Sequence, residues 1–290
     1  MNSSSNFQSG KIIKLTGGLY TVESLEGTYE CRARGIFRKK GISPVVGDNV
    51  EFSEGMIEKI QERKNILLRP PVANLDRIFF VVSTTEPVPN YYVLDQLIAV
   101  AESQSIEPVI VVTKSDIDKN DELKKIYSKA GLKVIETDYS DSKTVDKVKE
   151  LIKGKCCAFT GNSGVGKSTL MNAIDPELNI PTNAISKKLG RGKHTTRHTE
   201  LYHICGGLVA DTPGFSAFDI AEYCQIEKEE LSHCFREFRN HMGKCRFNNC
   251  THTCEPGCKV IEAVKNGEIS EKRHENYCIM YNEIKQRKEW

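Results

Sequence analysis

Nine consecutive residues, Gly161-Asn162-Ser163-Gly164-Val165-Gly166-Lys167-Ser168-Thr169, follow the pattern GxxxxGK[ST]. Glycines there let backbone N–H groups turn inward around a phosphate, Lys167 adds a point charge that can offset charge developing on a transferred phosphoryl group, and the Ser168 hydroxyl can ligate Mg²⁺. The flanks, Cys156-Cys157-Ala158-Phe159 before and Leu170-Met171-Asn172-Ala173-Ile174 after, predict a strand and a helix, the context such a loop requires. Downstream, the apolar run Leu208-Val209-Ala210 ends in Asp211-Thr212-Pro213-Gly214. Asp211 can hold a Mg²⁺-bound water and the Gly214 amide can approach a γ-phosphate, so the two motifs together predict a nucleoside triphosphatase.

Thr113-Lys114-Ser115-Asp116, directly after the strand-like Pro108-Val109-Ile110-Val111-Val112, is a variant of [NT]KxD. Its carboxylate can accept two hydrogen bonds from guanine N1 and N2, a pair adenine does not offer, which predicts selection for GTP. This motif ordinarily follows the phosphate loop and the DxxG turn; here it precedes both, and no second copy lies downstream. The domain therefore reads as circularly permuted, guanine-binding half first. The segment that supports guanine from a neighbouring strand end should then follow Val134-Ile135, where Thr137-Asp138-Tyr139-Ser140 lacks a Ser-Ala pair and leaves the contact to guanine O6 unassigned. Between the phosphate loop and Asp211, the glycine-rich basic stretch Gly190-Arg191-Gly192-Lys193-His194-Thr195-Thr196-Arg197-His198 is a candidate switch, in which Thr195 or Thr196 would complete the Mg²⁺ shell.

Cys245-x4-Cys250-x-His252-x5-Cys258 supplies thiolates and an imidazole suited to a closed, structural tetrahedral Zn²⁺ site, with Cys254 inside the span as a fifth candidate. Lys244, Arg246 and Lys259, with Phe247 among them, form a surface suited to RNA.

The elements that must position these groups fall into three parts. Residues 1–69 contain closely spaced β-type runs (20–22, 28–31, 50–52 and 56–60), which predict a small OB-type barrel; its segment from Arg32 to Gly41 carries five basic side chains and Phe37, expected to be exposed on a basic RNA-contacting loop. Pro70-Pro71 marks a boundary, after which residues 70–224 alternate strands and helices, the texture of a parallel α/β sheet with its ligand at the strands' C-terminal ends. Residues 225–290 read as a helical zinc-binding domain, with long charged helices at 227–241 and 270–288. A net charge of +2, from 41 basic and 39 acidic residues, excludes a polybasic nucleic-acid binder and leaves only local patches. No apolar run approaches the roughly 18 residues of a membrane span, and the first residues lack the form of a secretory signal. The 11 cysteines alongside a nucleotide loop point to the reducing cytoplasm and metal ligation rather than disulfides.

Barrel, TKSD, GNSGVGKST, DTPG and cysteine-rich tail, in that order, make nearly the whole chain resemble the circularly permuted GTPases of the ribosome small subunit-dependent (RsgA) family. The resemblance implies hydrolysis of GTP to GDP with Mg²⁺ held through Ser168, a switch threonine and Asp211, stimulation by the small (30S) ribosomal subunit and its rRNA, and a late role in assembling that subunit. It favours Cys245, Cys250, His252 and Cys258 as the zinc ligands and implies that His194 activates the attacking water. Phe215, which follows DTPG where many GTPases carry a water-orienting Gln, agrees that another group must do so. The chain is expected to be a cytoplasmic monomer without a membrane partner. Two competing readings are a GTP-regulated RNA-binding module whose hydrolysis is incidental, and a P-loop ATPase or kinase.

Overall fold

The computed structural model describes residues 7–68, 71–118, 121–180, 200–211 and 226–287, with the backbone alone at Asp211 and Arg287. The first five strands are β1 (Gln8–Thr16), β2 (Leu19–Ser24), β3 (Gly27–Ala33), β4 (Asn49–Ser53) and β5 (Met56–Ile60). They pair in the order β1-β2-β3-β5-β4, and β4 returns to β1, closing a five-stranded barrel. Alternation puts Ile12, Tyr20, Val22, Cys31, Val50, Phe52 and Ile57 inside. The long strand β1 serves three partners because its register shifts between Ile12 and Lys14. At Gly10, where β1 crosses β2, a Cβ would lie 2.6 Å from the Glu23 carbonyl oxygen, so only glycine allows that approach. The buried Asp48 carboxylate closes the far end, accepting from the Val45 amide at 2.8 Å and from both Nε and an Nη of Arg63.

One expectation fails here. Residues Gly35–Lys39 form a short helix, α1, and Phe37 is buried, not exposed, because its ring joins the barrel core. Ile36, Arg38, Lys39 and Lys40 remain outside, so the segment is still basic, with a different apolar residue on its surface.

A hairpin of β6 (Ile66–Leu68) and β7 (Pro71–Ala73) leads out of the barrel, Pro71 standing at a strand start, where its missing N–H costs least. The strands that follow are β8 (Arg77–Ser83), β9 (Glu107–Thr113), β10 (Lys133–Glu136), β11 (Cys156–Thr160), β12 (Glu200–Ile204) and β13 (Gly207–Asp211), joined to the barrel strands through the antiparallel pair β12-β1. Their order is β10-β9-β8-β11-β13-β12, parallel except for β12. The uninterrupted apolar runs that predict buried strands bury both faces. Ile78, Phe80, Ile110 and Val112 pack beneath α2 (Tyr91–Ser103) and α3 (Asp121–Lys129), in a core continuous with the barrel's. Phe79, Val81, Val109 and Val111 face α4 (Ser142–Ile152) and α5 (Lys167–Ile174) on the other side. Because these strands run parallel, the loops after β8, β9, β10 and β11 all emerge at one edge.

The C-terminal region departs from expectation in part. Helix α7 (Glu271–Arg287) lies where a long helix is predicted, preceded by α6 (Lys259–Lys265). The stretch expected as a helix over 227–241 instead forms turns and two short 3₁₀ segments, Leu231–Cys234 and Arg236–Phe238, interrupted by Phe235 in an extended conformation. The compact arrangement packs Leu231, Cys234, Phe235 and Phe238 around Tyr277 and Ala99 of α2. Among the described residues no helix is long and apolar enough to cross a membrane.

Candidate functional site

The phosphate loop takes its shape from its glycines. Gly164 and Gly166 have φ of +87° and +91°, and Gly166 is the left-handed N-cap of α5, whose carbonyl accepts the Leu170 amide at 2.9 Å. A Cβ on Gly161 would lie 2.4 Å from the Val81 carbonyl oxygen, so the loop can sit against β8 only with glycine there. Val165 is buried as the loop's apolar anchor, leaving Asn162, Ser163 and Gly164 exposed above the sheet edge. Lys167 and Ser168 occupy the first turn of α5 and line a cavity of about 230 Å³ with Phe159, Tyr202 and Ala210. Ala210 precedes Asp211, so the Ser168 hydroxyl and the end of β13 flank one space, as a shared Mg²⁺ would require.

The guanine motif is joined to this loop directly. The fully buried Thr113 hydroxyl reaches two carbonyls, Val82 on β8 at 3.1 Å and Val165 of the phosphate loop, sharing its one proton between them. Lys114 has a left-handed backbone (φ +59°); its ammonium donates to the Glu86 carbonyl, and its own carbonyl accepts the Thr84 hydroxyl at 2.8 Å. Ser115 donates to the Thr137 carbonyl at 2.6 Å, tying the motif to the end of β10. These bonds leave Asp116 exposed at the edge, its carboxylate making no hydrogen bond or ion pair among the described residues and remaining open to a ligand. Since α3 begins at Asp121, neither Ser115 nor Asp116 is its N-cap.

Tyr139 stands close enough to feel Asp116. Burial pushes its phenol above the ordinary value and the Asp116 charge adds to this, while a bond to the Thr137 hydroxyl opposes it. Asp138 accepts the Ser140 amide at 2.8 Å, and its own amide donates to the Thr144 hydroxyl at 3.0 Å, so residues 137–140 form a fixed turn opposite the motif. The sequence signals the place of this turn by permutation, while Tyr139 carries no motif that could mark it in advance.

His194, Thr195, Thr196 and Gly214, and the Asp211 side chain, lie outside the described residues. The described residues that flank the segment 181–199 are Ile180 and Glu200. The Asn172 side chain both donates to and accepts from the Ile180 backbone at 2.8 Å, and β12 returns with Glu200 paired to Asp211. Strand β12 itself, which buries Leu201 in the core on one face of the sheet and Ile204 in the core on the other, goes unmarked in the sequence.

In the C-terminal region the structure brings together Cys245, Cys250, His252 and Cys258, their ligand atoms all within 4.8 Å of one another. Cys245 Sγ lies 3.6 Å from His252 Nδ1 and 3.9 Å from Cys258 Sγ; His252 Nδ1 and Cys258 Sγ are 3.4 Å apart. Bonds of about 2.3 Å to sulfur and 2.0–2.1 Å to nitrogen in a tetrahedron give edges near these values, so the donor set fits zinc. Burial lowers the His252 pKa, favouring the neutral ring that ligates. Cys254 is exposed and outside this cluster, within reach of the Thr253 hydroxyl. The Glu255 carboxylate braces the loop, accepting amides from Thr251, Thr253 and Cys254 at 2.8, 3.1 and 3.2 Å.

Comparison with known proteins matches residues 9–59 to the family model for the RsgA N-terminal domain and residues 60–221 to that for the RsgA GTPase. Similar proteins include the small ribosomal subunit biogenesis GTPase RsgA of Halalkalibacterium halodurans, 45% identical over 95% of this chain and 97% of its own. Its namesake from Geobacillus sp. is 46% identical over 96% and 98%. Among solved structures, YloQ, described as a circularly permuted GTPase, superimposes with a TM-score of 0.80 at 36% identity, covering 99% of this chain and 98% of its own. YjeQ from Thermotoga maritima gives 0.80 at 37% identity, covering 96% and 98%.

Proposed function

Since the chain belongs to the RsgA GTPase family, a circularly permuted GTPase with an N-terminal barrel, we propose that it is a GTP-hydrolysing assembly factor for the small (30S) ribosomal subunit, switched on by that subunit's rRNA. The observation that supports the nucleotide reading is the Thr113 hydroxyl donating to the Val165 carbonyl, a direct tie between the guanine motif and the phosphate loop. Asp116 takes guanine N1 and N2, with Thr113, Lys114 and Ser115 holding it in place. Residues 161–169 wrap the phosphates, and Lys167 with the loop amides offsets charge on the γ-phosphoryl as water attacks. A Mg²⁺ would be held by Ser168 with Asp211 and Thr196 or Thr195, and when bound it neutralises charge on the phosphate oxygens. His194 orients the water, and Gly214 approaches the γ-phosphate. Cys245, Cys250, His252 and Cys258 hold a structural Zn²⁺. The working parts are residues 1–69, 70–224 and 225–290, acting as a monomer in the cytoplasm. The exposed basic helix α1 and the surface around Arg246 support RNA as the partner.

The decisive experiment is GTP turnover alone, with small subunits and with large subunits. Stimulation confined to the small subunit, abolished by His194→Ala, is the expected result. No stimulation removes the ribosomal assignment and leaves the GTPase; stimulation that survives His194→Ala removes that residue's role.

A further inference from the structure

One cavity lies away from the nucleotide site. It lies beside the zinc-ligand cluster, about 540 Å³ in volume, between residues 228–233, the knuckle and α7. That volume falls in the roughly 300–1,000 Å³ range of ligand-holding pockets. Three of the cluster residues, Cys245, Cys250 and His252, form part of its wall, and His233, Phe247, Asn248, Asn249, Tyr281 and Lys228 line the rest with polar and aromatic groups. Glu229 is the one carboxylate of the lining, 3.8 Å from Lys228, which leaves too little negative charge for a second metal. Asn248 and Asn249 are exposed, and their amides make no hydrogen bond among the described residues. Arg246 lies over the half-exposed Phe247 ring, 5.5 Å from its centroid, and makes no ion pair among the described residues.

We propose that this cavity receives one unstacked nucleotide of a single-stranded RNA. An amide offers donor and acceptor together, the combination that reads a base edge, and two adjacent amides next to an exposed ring supply both edge and face recognition. Lys228 in the wall and Arg246 beside Phe247 offer positive charge to the phosphates flanking such a base. An acidic peptide would use the two cations but leave the paired amides and the ring without a role. The inference deepens the ribosomal reading and rests on RNA being the partner.

The test uses the full-length, zinc-loaded protein and a labelled single-stranded RNA of mixed sequence, about ten nucleotides long. Loss of a stacked, hydrogen-bonded base is expected to weaken binding about tenfold in Phe247→Ala and in the double variant N248A/N249A, with zinc content and basal GTP turnover unchanged. Photo-crosslinking of a thiouridine-substituted RNA to the unaltered protein is expected to label residues 247–249, which holds even where a variant loses zinc. Unchanged affinity, labelling elsewhere, or displacement from this cavity by an acidic peptide and not by RNA overturns the proposal. Small-subunit stimulation of the unaltered protein separates the two readings: stimulation with unaffected variants sinks the pocket alone, whereas its absence sinks the ribosomal role.

Discussion

Asp116 can be read so directly because its neighbours are spent on structure and it is not. Thr113, Lys114 and Ser115 each bond to backbone carbonyls of other loops, which holds the turn while leaving the one carboxylate for guanine. Charge-assisted hydrogen bonds contribute about 1.5–3 kcal/mol each. Asp116→Asn is therefore expected to weaken GTP binding about 10- to 100-fold in titration with a fluorescent analogue, and to improve relative binding of xanthosine triphosphate, whose 2-oxo group accepts from an amide. An unaltered GTP affinity would dissociate this motif from base recognition. Asp76 works differently, at the base of the sheet. Burial would raise its pKa, but the Lys64 ammonium at 2.8 Å and the Cys156 amide at 2.9 Å hold it below the ordinary 3.8. A folded-state pKa below the unfolded one contributes stability that is complete above about pH 4 and fades as pH falls through the lowered value. The stability difference between the parent and Asp76→Asn, followed by urea unfolding, should accordingly be largest near neutrality and shrink in acid; a difference independent of pH would mean that the carboxylate charge contributes nothing.

At the scale of elements, α2 joins the two ends of the molecule. The segment ahead of its N-cap Asn90 meets the guanine motif through Thr84 and Glu86 and approaches the phosphate loop through Pro87. Its body carries Asp95, which meets fully buried Arg273 of α7 at 2.5 Å and Asn276 at 2.6 Å, and Glu102, which meets Arg236 and Arg239. Arg273 also pairs with Glu237, so one guanidinium satisfies two desolvated carboxylates. These described contacts seat the C-terminal region on the guanine-binding half. Removing one member of such a network leaves uncompensated buried charge, and Arg273→Met is expected to cost about 3–5 kcal/mol in equilibrium unfolding. A loss below about 1 kcal/mol would be that of an exposed pair.

For the whole molecule, the barrel, the nucleotide sheet and the C-terminal region share two boundaries of different character. The barrel core runs into the sheet's core, and Lys14 of β1 pairs with Glu200 of β12. The C-terminal region has its own core around Phe238 and Tyr277, built beside the metal-ligand cluster. Stripping zinc with a chelator should thus abolish small-subunit stimulation while basal GTP turnover, which depends on the sheet edge, is largely retained; equal loss of both would show that the cluster also supports the nucleotide site.

The sequence by itself determined the nucleotide loop, the guanine motif, their inverted order and the five candidate metal ligands, because each depends on residue types readable along the chain. The buried strands were legible for the same reason, their apolar runs being contiguous. Only the tertiary structure decided what depends on partners far along the chain. Phe37 looked exposed in a basic stretch and is buried because the barrel closes over it. The apolar spacing over 227–241 suits a helix and is met instead by turns, because Phe235 and Phe238 pack on Tyr277 and Ala99, residues remote in sequence. Cys254 could not be separated from the ligands by spacing, and it is excluded from the cluster by where the fold places its neighbours. The joining of base and phosphate sites through one threonine hydroxyl was likewise invisible, since Thr113 and Val165 meet only when parallel strands bring their ends to a common edge.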